Sequence, residues 1–176
     1  AFNSNINDWD VSNVTDFQGV FEVMPNFNQP LDMWDVSGGT VFNGMFFNTS
    51  SFDQSLGDWD ISSAGSMASM LAGTGMSVAN YDATLIGWAG QSVQSNVPLG
   101  ASGLVYSAAG AIGRSTLISG PNNWIITGDN PVPPVITYAS SVDITENTPV
   151  FTGTPYITTE TVPTDVIFND DGTRMY

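Results

Sequence analysis

The stretch FNSNINDWDVSNVTDFQGVF, residues 2–21, recurs as FNQPLDMWDVSGGTVFNGMF at residues 27–46 and as FDQSLGDWDISSAGSMASML at residues 52–71. The period is 25 residues without an insertion, so residues 1–75 are three consecutive repeats. Self-similarity at a fixed period of this length is typical of solenoids, in which each unit buries its apolar face against its neighbours. The sequence therefore predicts a stack of three coils over residues 1–75.

Two aromatic columns run through the repeats, one of phenylalanine and one of tryptophan. Each tryptophan lies two residues before a valine or isoleucine, which favours a buried role over a ladder of exposed rings that stack on sugars. The sugar-binding ladder remains the alternative. The predicted structural core of the repeats is Phe2, Trp9, Phe27, Trp34, Phe52 and Trp59.

Within one repeat the pattern predicts a short strand followed by a short helix. Trp and Val suit a strand over residues 9–11, and Ser12 or Asn13 could cap the helix that follows. Apolar residues then recur at helical spacing over residues 14–21. Gly19 and Gly44 fall inside this helix, where we expect them to allow neighbouring coils to approach closely. The predicted fold class is an α/β solenoid of leucine-rich-repeat-like coils.

Residues 76–130 keep the composition of the repeats but lose their period. Tyr81, Leu85 and Trp88 have the spacing of an amphipathic helix that begins near Asn80 and ends near Gly90. A second helix is predicted over residues 107–118 and a strand over residues 124–127. We interpret residues 76–130 as an irregular last coil that caps the stack.

The composition changes again at residues 131–134, a proline-rich linker that cannot continue a helix. Residues 135–176 contain β-branched runs, and the turn at residues 169–172 predicts a hairpin. These few strands are too short to form a stable core alone. We therefore expect the segment to be the start of an all-β module that continues in a longer chain or docks on a neighbouring protein.

The charge balance excludes several partners. The chain has 17 acidic residues, two basic residues and a net charge of −15. Nucleic acids and anionic membrane surfaces need cationic neutralisation, so neither is an expected partner. No apolar run approaches the roughly 20 residues that a membrane-spanning helix needs. Without cysteine, disulfides and thiolate metal sites are excluded.

The aspartates that follow the tryptophans form a third column, which could bind calcium. Calcium takes roughly six to eight oxygen ligands, and Met33 interrupts the nearby acidic positions. Capping of the N–H groups of the helix that follows explains the aspartates more simply, so no cofactor is expected. The weak calcium candidates are Asp10, Asp35, Asp60, Asp170 and Asp171.

Catalysis has little chemical basis in this composition. The sequence contains no His, Lys or Cys, which removes the usual bases and nucleophiles. A glycosidase-type carboxylate pair would be compatible with 17 acids, but no pair is distinguished from the others. We therefore predict that the chain is not an enzyme.

The W-D-V-S core and the phrases quoted above resemble the BspA-like leucine-rich-repeat surface proteins, a bacterial family that includes mycoplasma lipoproteins. The resemblance covers residues 1–75; the third repeat departs from it with Asp53 in place of Asn. The phrases YDATLIGWA and NNWIITGDN are similar to the tail that closes such arrays, and FNDDGTRMY resembles the opening of a β-propeller blade. The resemblance implies a secreted, cell-surface fragment of a larger protein, with adhesion or protein binding as its function.

Two other functions are compatible with the sequence. The repeats could be a structural stalk or spacer in a very large surface protein, or an accessory module of a carbohydrate-active enzyme. The ligand is not identified by either the residues or the resemblance. The full-length gene would distinguish the alternatives, because a catalytic domain would favour the accessory module.

Overall fold

A computed structural model describes residues 2–134 of the chain. All its helices and strands follow the repeats: α1 Val78–Ala89, β1 Pro98–Gly100, β2 Val105–Tyr106, α2 Ala108–Ile118, β3 Ile125–Thr127 and β4 Asn130–Pro131. The all-β segment predicted for residues 135–176, with its hairpin, lies outside the described residues.

Backbone hydrogen bonds join equivalent positions of successive repeats. The N–H groups of Phe17, Gly19, Phe21 and Val23 donate to the carbonyl oxygens of Val41, Asn43, Met45 and Phe47 at 2.8–3.0 Å. Those of Phe42, Gly44, Phe46 and Asn48 donate in the same way to Ser66, Ala68, Met70 and Ala72. Each repeat therefore offers N–H donors to the following repeat and carbonyl acceptors to the preceding one.

The segments that carry these bonds are consecutive turns, and the helix predicted over residues 14–21 is wrong. Gly19 and Gly44 have φ of +66° and +61°, in the left-handed region that a right-handed helix excludes. A Cβ at either glycine would contact only a side chain of its own repeat, so close approach of neighbours is not their role. The strand predicted over residues 9–11 is also absent from this described segment.

Aromatic side chains stack between the repeats and form the core. Phe17 and Phe42 have ring centroids 5.1 Å apart, and the next pair, Phe21 and Phe46, has centroids 5.4 Å apart. Of the six predicted core residues, Phe27, Trp34, Phe52 and Trp59 are buried. The prediction is wrong for Phe2 and Trp9, which are 44% and 57% exposed. Their rings are exposed because no repeat covers the first one within the described residues.

The two helices begin at serine caps. The Ser77 side chain accepts a hydrogen bond from the Asn80 N–H, so α1 begins three residues earlier than the predicted Asn80 cap and ends at Gly90. Ser107 accepts from the Ala109 N–H at the start of α2. These side-chain oxygens satisfy N–H groups that have no partner within the helix.

Two short parallel sheets continue the stack into the closing segment. Strand β1 forms a bridge to the third repeat through Met67 and Leu99, and pairs with β3 through Leu99 and Ile126. Strand β2 pairs with β4, where Tyr106 lies opposite Pro131. The Val132 N–H also donates to the Tyr106 carbonyl at 2.8 Å. The first residues of the predicted linker, 131–134, are thus hydrogen-bonded to the closing segment.

Candidate functional site

The aspartate column of the repeats forms local turns. Oδ1 of Asp10 accepts hydrogen bonds from the backbone N–H and the hydroxyl of Ser12 at 3.1 and 2.6 Å. Asp35 binds Ser37 at the same two distances. The carboxylates therefore cap the residue two positions later. The predicted capping of a following helix is wrong, because these described segments contain no helix.

These hydrogen bonds favour the charged form of the column. Two hydrogen bonds, the larger effect coming from the Ser12 side chain and the smaller from the Ser12 backbone N–H, lower the pKa of Asp10 below its ordinary value. Ser37 and Ser62 lower the pKa of Asp35 and Asp60 in the same way. Electrostatic repulsion from Asp60 and Asp10 opposes the lowering of the Asp35 pKa. The column is an exposed, negatively charged strip.

The calcium hypothesis concerns five aspartates. Across residues 2–134, no group of three or more acidic side chains is arranged so that it could hold a metal ion. Asp10, Asp35 and Asp60 each use one carboxylate oxygen to accept a hydrogen bond from the serine two residues later, an arrangement that we call the serine turn. Asp170 and Asp171 lie outside the described residues.

A shallow depression of about 450 Å³ adjoins the strip where the third repeat meets the end of α1. Its lining is polar: Asp58, Asp60, Ser62, Gln91 and Ser92. The Gln91 amide is already engaged, since its oxygen accepts from the Ile61 N–H and its nitrogen donates to the Trp59 carbonyl. The depression can offer carboxylate and hydroxyl oxygens to a ligand, without an exposed aromatic ring in its lining.

A second polar column, which the sequence analysis missed, links the repeats edge to edge. Oδ1 of Asn3 accepts from the Asn28 N–H at 2.9 Å, and Oδ1 of Asn28 accepts from the Asp53 N–H at 2.9 Å. Asp53 continues the series by accepting from the Ser77 N–H at 2.7 Å. The available signal was the polar residue that follows each phenylalanine of the first core column.

The tryptophan column also extends beyond the repeats. The indole N–H of Trp34 donates to the Ile6 carbonyl at 2.9 Å, and that of Trp59 donates to the Leu31 carbonyl at 2.8 Å. Trp88, in α1, makes the equivalent bond to Leu56, and Trp124 donates to Gln94. The helical spacing of Trp88 predicts that it lies on the buried face of α1. Only the structure shows that Trp88 continues the tryptophan column.

A family model described as a Mycoplasma protein of unknown function, DUF285, matches residues 1–94. The chain belongs to the DUF285 family. The match covers the three repeats and all of α1, so the resemblance to mycoplasma repeat proteins is supported at the level of the family. Searches of curated proteins and of solved structures gave no match. Among residues 2–134, no helix is long and apolar enough to cross a membrane.

Beyond the part matched to DUF285, a partly buried ion pair joins α2 to the loop after β3. The Arg114 guanidinium donates to both carboxylate oxygens of Asp129, at 2.7 and 2.9 Å. The Tyr81 hydroxyl donates to the same carboxylate at 2.9 Å. Burial, together with the nearby Asp129 charge, raises the pKa of Tyr81 above its ordinary value. The hydrogen bond that Arg114 donates to Asp129 likewise raises the pKa of Arg114.

The asparagine column and the ion pair of Arg114 with Asp129 are thus committed to holding segments together. The exposed strip and its adjoining depression remain accessible to another molecule. The groups available there are hydrogen-bond acceptors, namely carboxylates and hydroxyls. The one amide, that of Gln91, already uses both of its polar atoms. A partner there would be recognised through hydrogen-bond donors or positive charge.

Proposed function

We propose that this DUF285 chain is a non-catalytic segment of a secreted bacterial cell-surface protein, and that its stacked repeats form a rigid solenoid for adhesion or protein binding. The observation that carries the proposal is the use of polar side chains as structural links between segments. A binding scaffold needs such links, whereas a catalytic site needs reactive groups left free to reach a substrate.

Three partly or fully buried acidic groups illustrate this use. Asp53 accepts hydrogen bonds from Ser77 and Asn80, and Asp82 accepts from the Ser107 N–H at 3.0 Å. Asp129 is neutralised by Arg114. Within residues 2–134, no buried side-chain nitrogen or oxygen lacks a hydrogen-bond partner. These links favour a scaffold of fixed geometry.

The exposed strip favours a partner that carries positive charge. Asp10, Asp35 and Asp60 recur at the period of the repeats and remain ionised at neutral pH. A protein surface with spaced lysine or arginine side chains would complement them. Membership of a mycoplasma repeat family and the W-D-V-S resemblance support the extracellular location, which remains part of the proposal.

The location is tested on intact cells of the source organism. Antibodies against residues 1–134 should label unpermeabilised cells, and external protease should remove the label while a cytoplasmic control protein stays intact. Labelling that requires permeabilisation would contradict the surface location.

The binding role is tested with beads coated with the chain, applied to a monolayer of epithelial cells. We expect coated beads to adhere more than albumin-coated beads, and a variant with Asp10, Asp35 and Asp60 changed to Asn to lose adhesion. A matched variant removes three negative charges elsewhere, through Asp16→Asn, Glu22→Gln and Asp32→Asn. This variant should retain adhesion. Equal losses in both variants would contradict the strip as the binding surface. Adhesion no greater than that of albumin would favour the stalk.

A further inference from the structure

Asn43 is the only asparagine of the sequence that is followed directly by a glycine. In such a pair the glycine nitrogen can attack the asparagine side-chain carbon Cγ, because glycine has no Cβ to obstruct the approach. The N–Cγ bond forms, the bond from Cγ to Nδ2 breaks, and Nδ2 leaves as ammonia with the proton of the glycine N–H. Water then opens the resulting succinimide ring at either carbonyl and leaves aspartate or isoaspartate.

The third repeat binds both reacting groups of this pair. Oδ1 of Asn43 accepts hydrogen bonds from the Ser66 hydroxyl at 2.6 Å and from the Ala68 N–H at 2.9 Å. The Gly44 N–H donates to the Ala68 carbonyl at 2.8 Å. Attack requires the Gly44 nitrogen to lose its proton, and this bond opposes the loss because a negative nitrogen would then face a carbonyl oxygen. Ala68 thus holds the side chain through its N–H and the nucleophile through its oxygen.

The equivalent positions of the other two repeats do not offer the same chemistry. Gln18 precedes Gly19 in the first repeat, and Ala68 precedes Ser69 in the third. The glutamine side chain has one more methylene group, so the same attack would have to close a six-membered ring. The reactive pair therefore lies in the second repeat alone, at its junction with the third.

We propose that Asn43 is a deamidation site that is closed while the second and third repeats are stacked and becomes reactive when they separate. Separation frees the Asn43 side chain and the Gly44 N–H in one event, because both are bound by the same neighbouring repeat. The rate in the folded chain then follows the population of the open form.

The two products differ in whether the repeats can stack again. Aspartate keeps the length of the main chain, and its carboxylate oxygens can accept from Ser66 and Ala68 as the amide does. Isoaspartate adds one carbon atom to the main chain, which displaces the Gly44 N–H from its acceptor in the third repeat. Isoaspartate at this position therefore keeps the repeats apart, and a transient opening is converted into a lasting one.

The test incubates the full chain in mildly alkaline buffer with and without urea, and follows Asn43 by peptide mass spectrometry. We expect conversion in buffer to be slower than in urea by about tenfold for every 1.4 kcal/mol that opening costs. Hydrogen exchange of the Gly44 amide measures the same opening independently, and the slowing of deamidation should be at least as large as the protection of this amide. A smaller slowing, or a rate in buffer that equals or exceeds the rate in urea, would overturn the proposal. The donors to Oδ1 would then activate the amide carbon in the stacked form.

A pair of serine variants tests the contact itself. Ser66→Ala removes one hydrogen bond to Asn43 and should raise the rate in buffer about fivefold, which corresponds to about 1 kcal/mol, without changing the rate in urea. Ser63→Ala, in the same repeat, removes a hydroxyl that does not bond to Asn43 and should leave both rates unchanged. Equal rates for the two variants in buffer would overturn the proposal.

The consequence for stacking is tested on the products. Chain converted in urea is separated into its unmodified, aspartate and isoaspartate forms, and each is returned to buffer. The unmodified form, the aspartate form and an Asn43→Asp variant should regain protection of the Gly44 amide against exchange, whereas the isoaspartate form should not. Regained protection in the isoaspartate form would contradict the lasting separation.

Discussion

The indole N–H of Trp59 donates to the carbonyl oxygen of Leu31, 28 residues earlier, at 2.8 Å. Trp59 is only 2% exposed, so the bond lies in the core between the second and third repeats. One side chain thereby fills the core and satisfies a backbone acceptor of the preceding repeat. The relationship explains why tryptophan, rather than phenylalanine, occupies this column.

Replacement of Trp59 by Phe should therefore destabilise the chain although the core stays apolar. The Leu31 carbonyl would keep only the hydrogen bond from the Trp34 backbone N–H, at 3.2 Å, and the loss of one intramolecular hydrogen bond costs about 1 kcal/mol. Urea unfolding should show this loss in the free energy of unfolding. Trp9→Phe is the matched control: Trp9 is 57% exposed and makes no such bond in the described residues, so we expect a change within about 0.5 kcal/mol. Equal losses would contradict the assigned role.

Complete removal of the ring at Trp34 should be more costly. Trp34→Ala leaves a cavity in the middle repeat, and such changes typically cost about 3–5 kcal/mol. Thermal unfolding should show a large fall in Tm, or an unfolded repeat region. An unchanged Tm would contradict the buried position of Trp34 and favour the sugar-binding ladder.

Gly87 and Gly57 test the packing of α1 on the third repeat. A Cβ on Gly87 would clash with the Gly57 carbonyl oxygen, a backbone atom that no rotamer change can move. Gly87→Ala gains about 1 kcal/mol of helix propensity, but overpacking costs about 1–3 kcal/mol. Because the clash is with backbone, we expect a net loss in chemical denaturation. Gly90→Ala, whose Cβ would lie 3.5 Å from its nearest neighbour, is the control and should not destabilise. A stabilised Gly87→Ala would show that α1 lies further from Gly57.

The serine turns predict how the carboxylates respond to acid. Ser37 lowers the folded-state pKa of Asp35 below its ordinary value of 3.8, so its contribution to stability is present above pH 3.8 and is lost as the pH falls through the folded pKa. Carboxyl-carbon NMR titration should show the Asp35 pKa rising towards 3.8 in Ser37→Ala. Ser37→Thr retains the hydroxyl and should keep the pKa low. A pKa that does not change in Ser37→Ala would contradict the turn.

The sequence was sufficient to predict both helices after the repeats and the burial of the aromatic columns in the second and third repeats. The apolar period fixes which side chains face inwards, and Ser77, Gly90 and Ser107 lie at or near helix ends. Residues 14–21 were misassigned because apolar residues three and four positions apart suit consecutive turns as well as a helix. The decisive feature is the positive φ at Gly19 and Gly44, which glycine adopts readily. These glycines were a usable signal, but they were interpreted as sites of close approach inside a helix.

The candidate site could be predicted from the sequence only in part. The aspartate column is visible as a repeated residue, but its serine-turn geometry was obscured by the expected helix. The pairing of Arg114 with Asp129 joins positions on either side of β3, and nothing in their local sequence identifies them as partners. The Asn3 and Asn28 links likewise depend on how the repeats align edge to edge.

The central claim is that each repeat donates backbone N–H groups to the next one. It is tested most directly by NMR measurement of scalar couplings across hydrogen bonds, which identify donor and acceptor together. We expect the amide nitrogen of Gly44 to couple to the carbonyl carbon of Ala68, the residue whose oxygen lies 2.8 Å away. Coupling of Gly44 to the Thr40 carbonyl instead, as in an α-helix, would contradict the account.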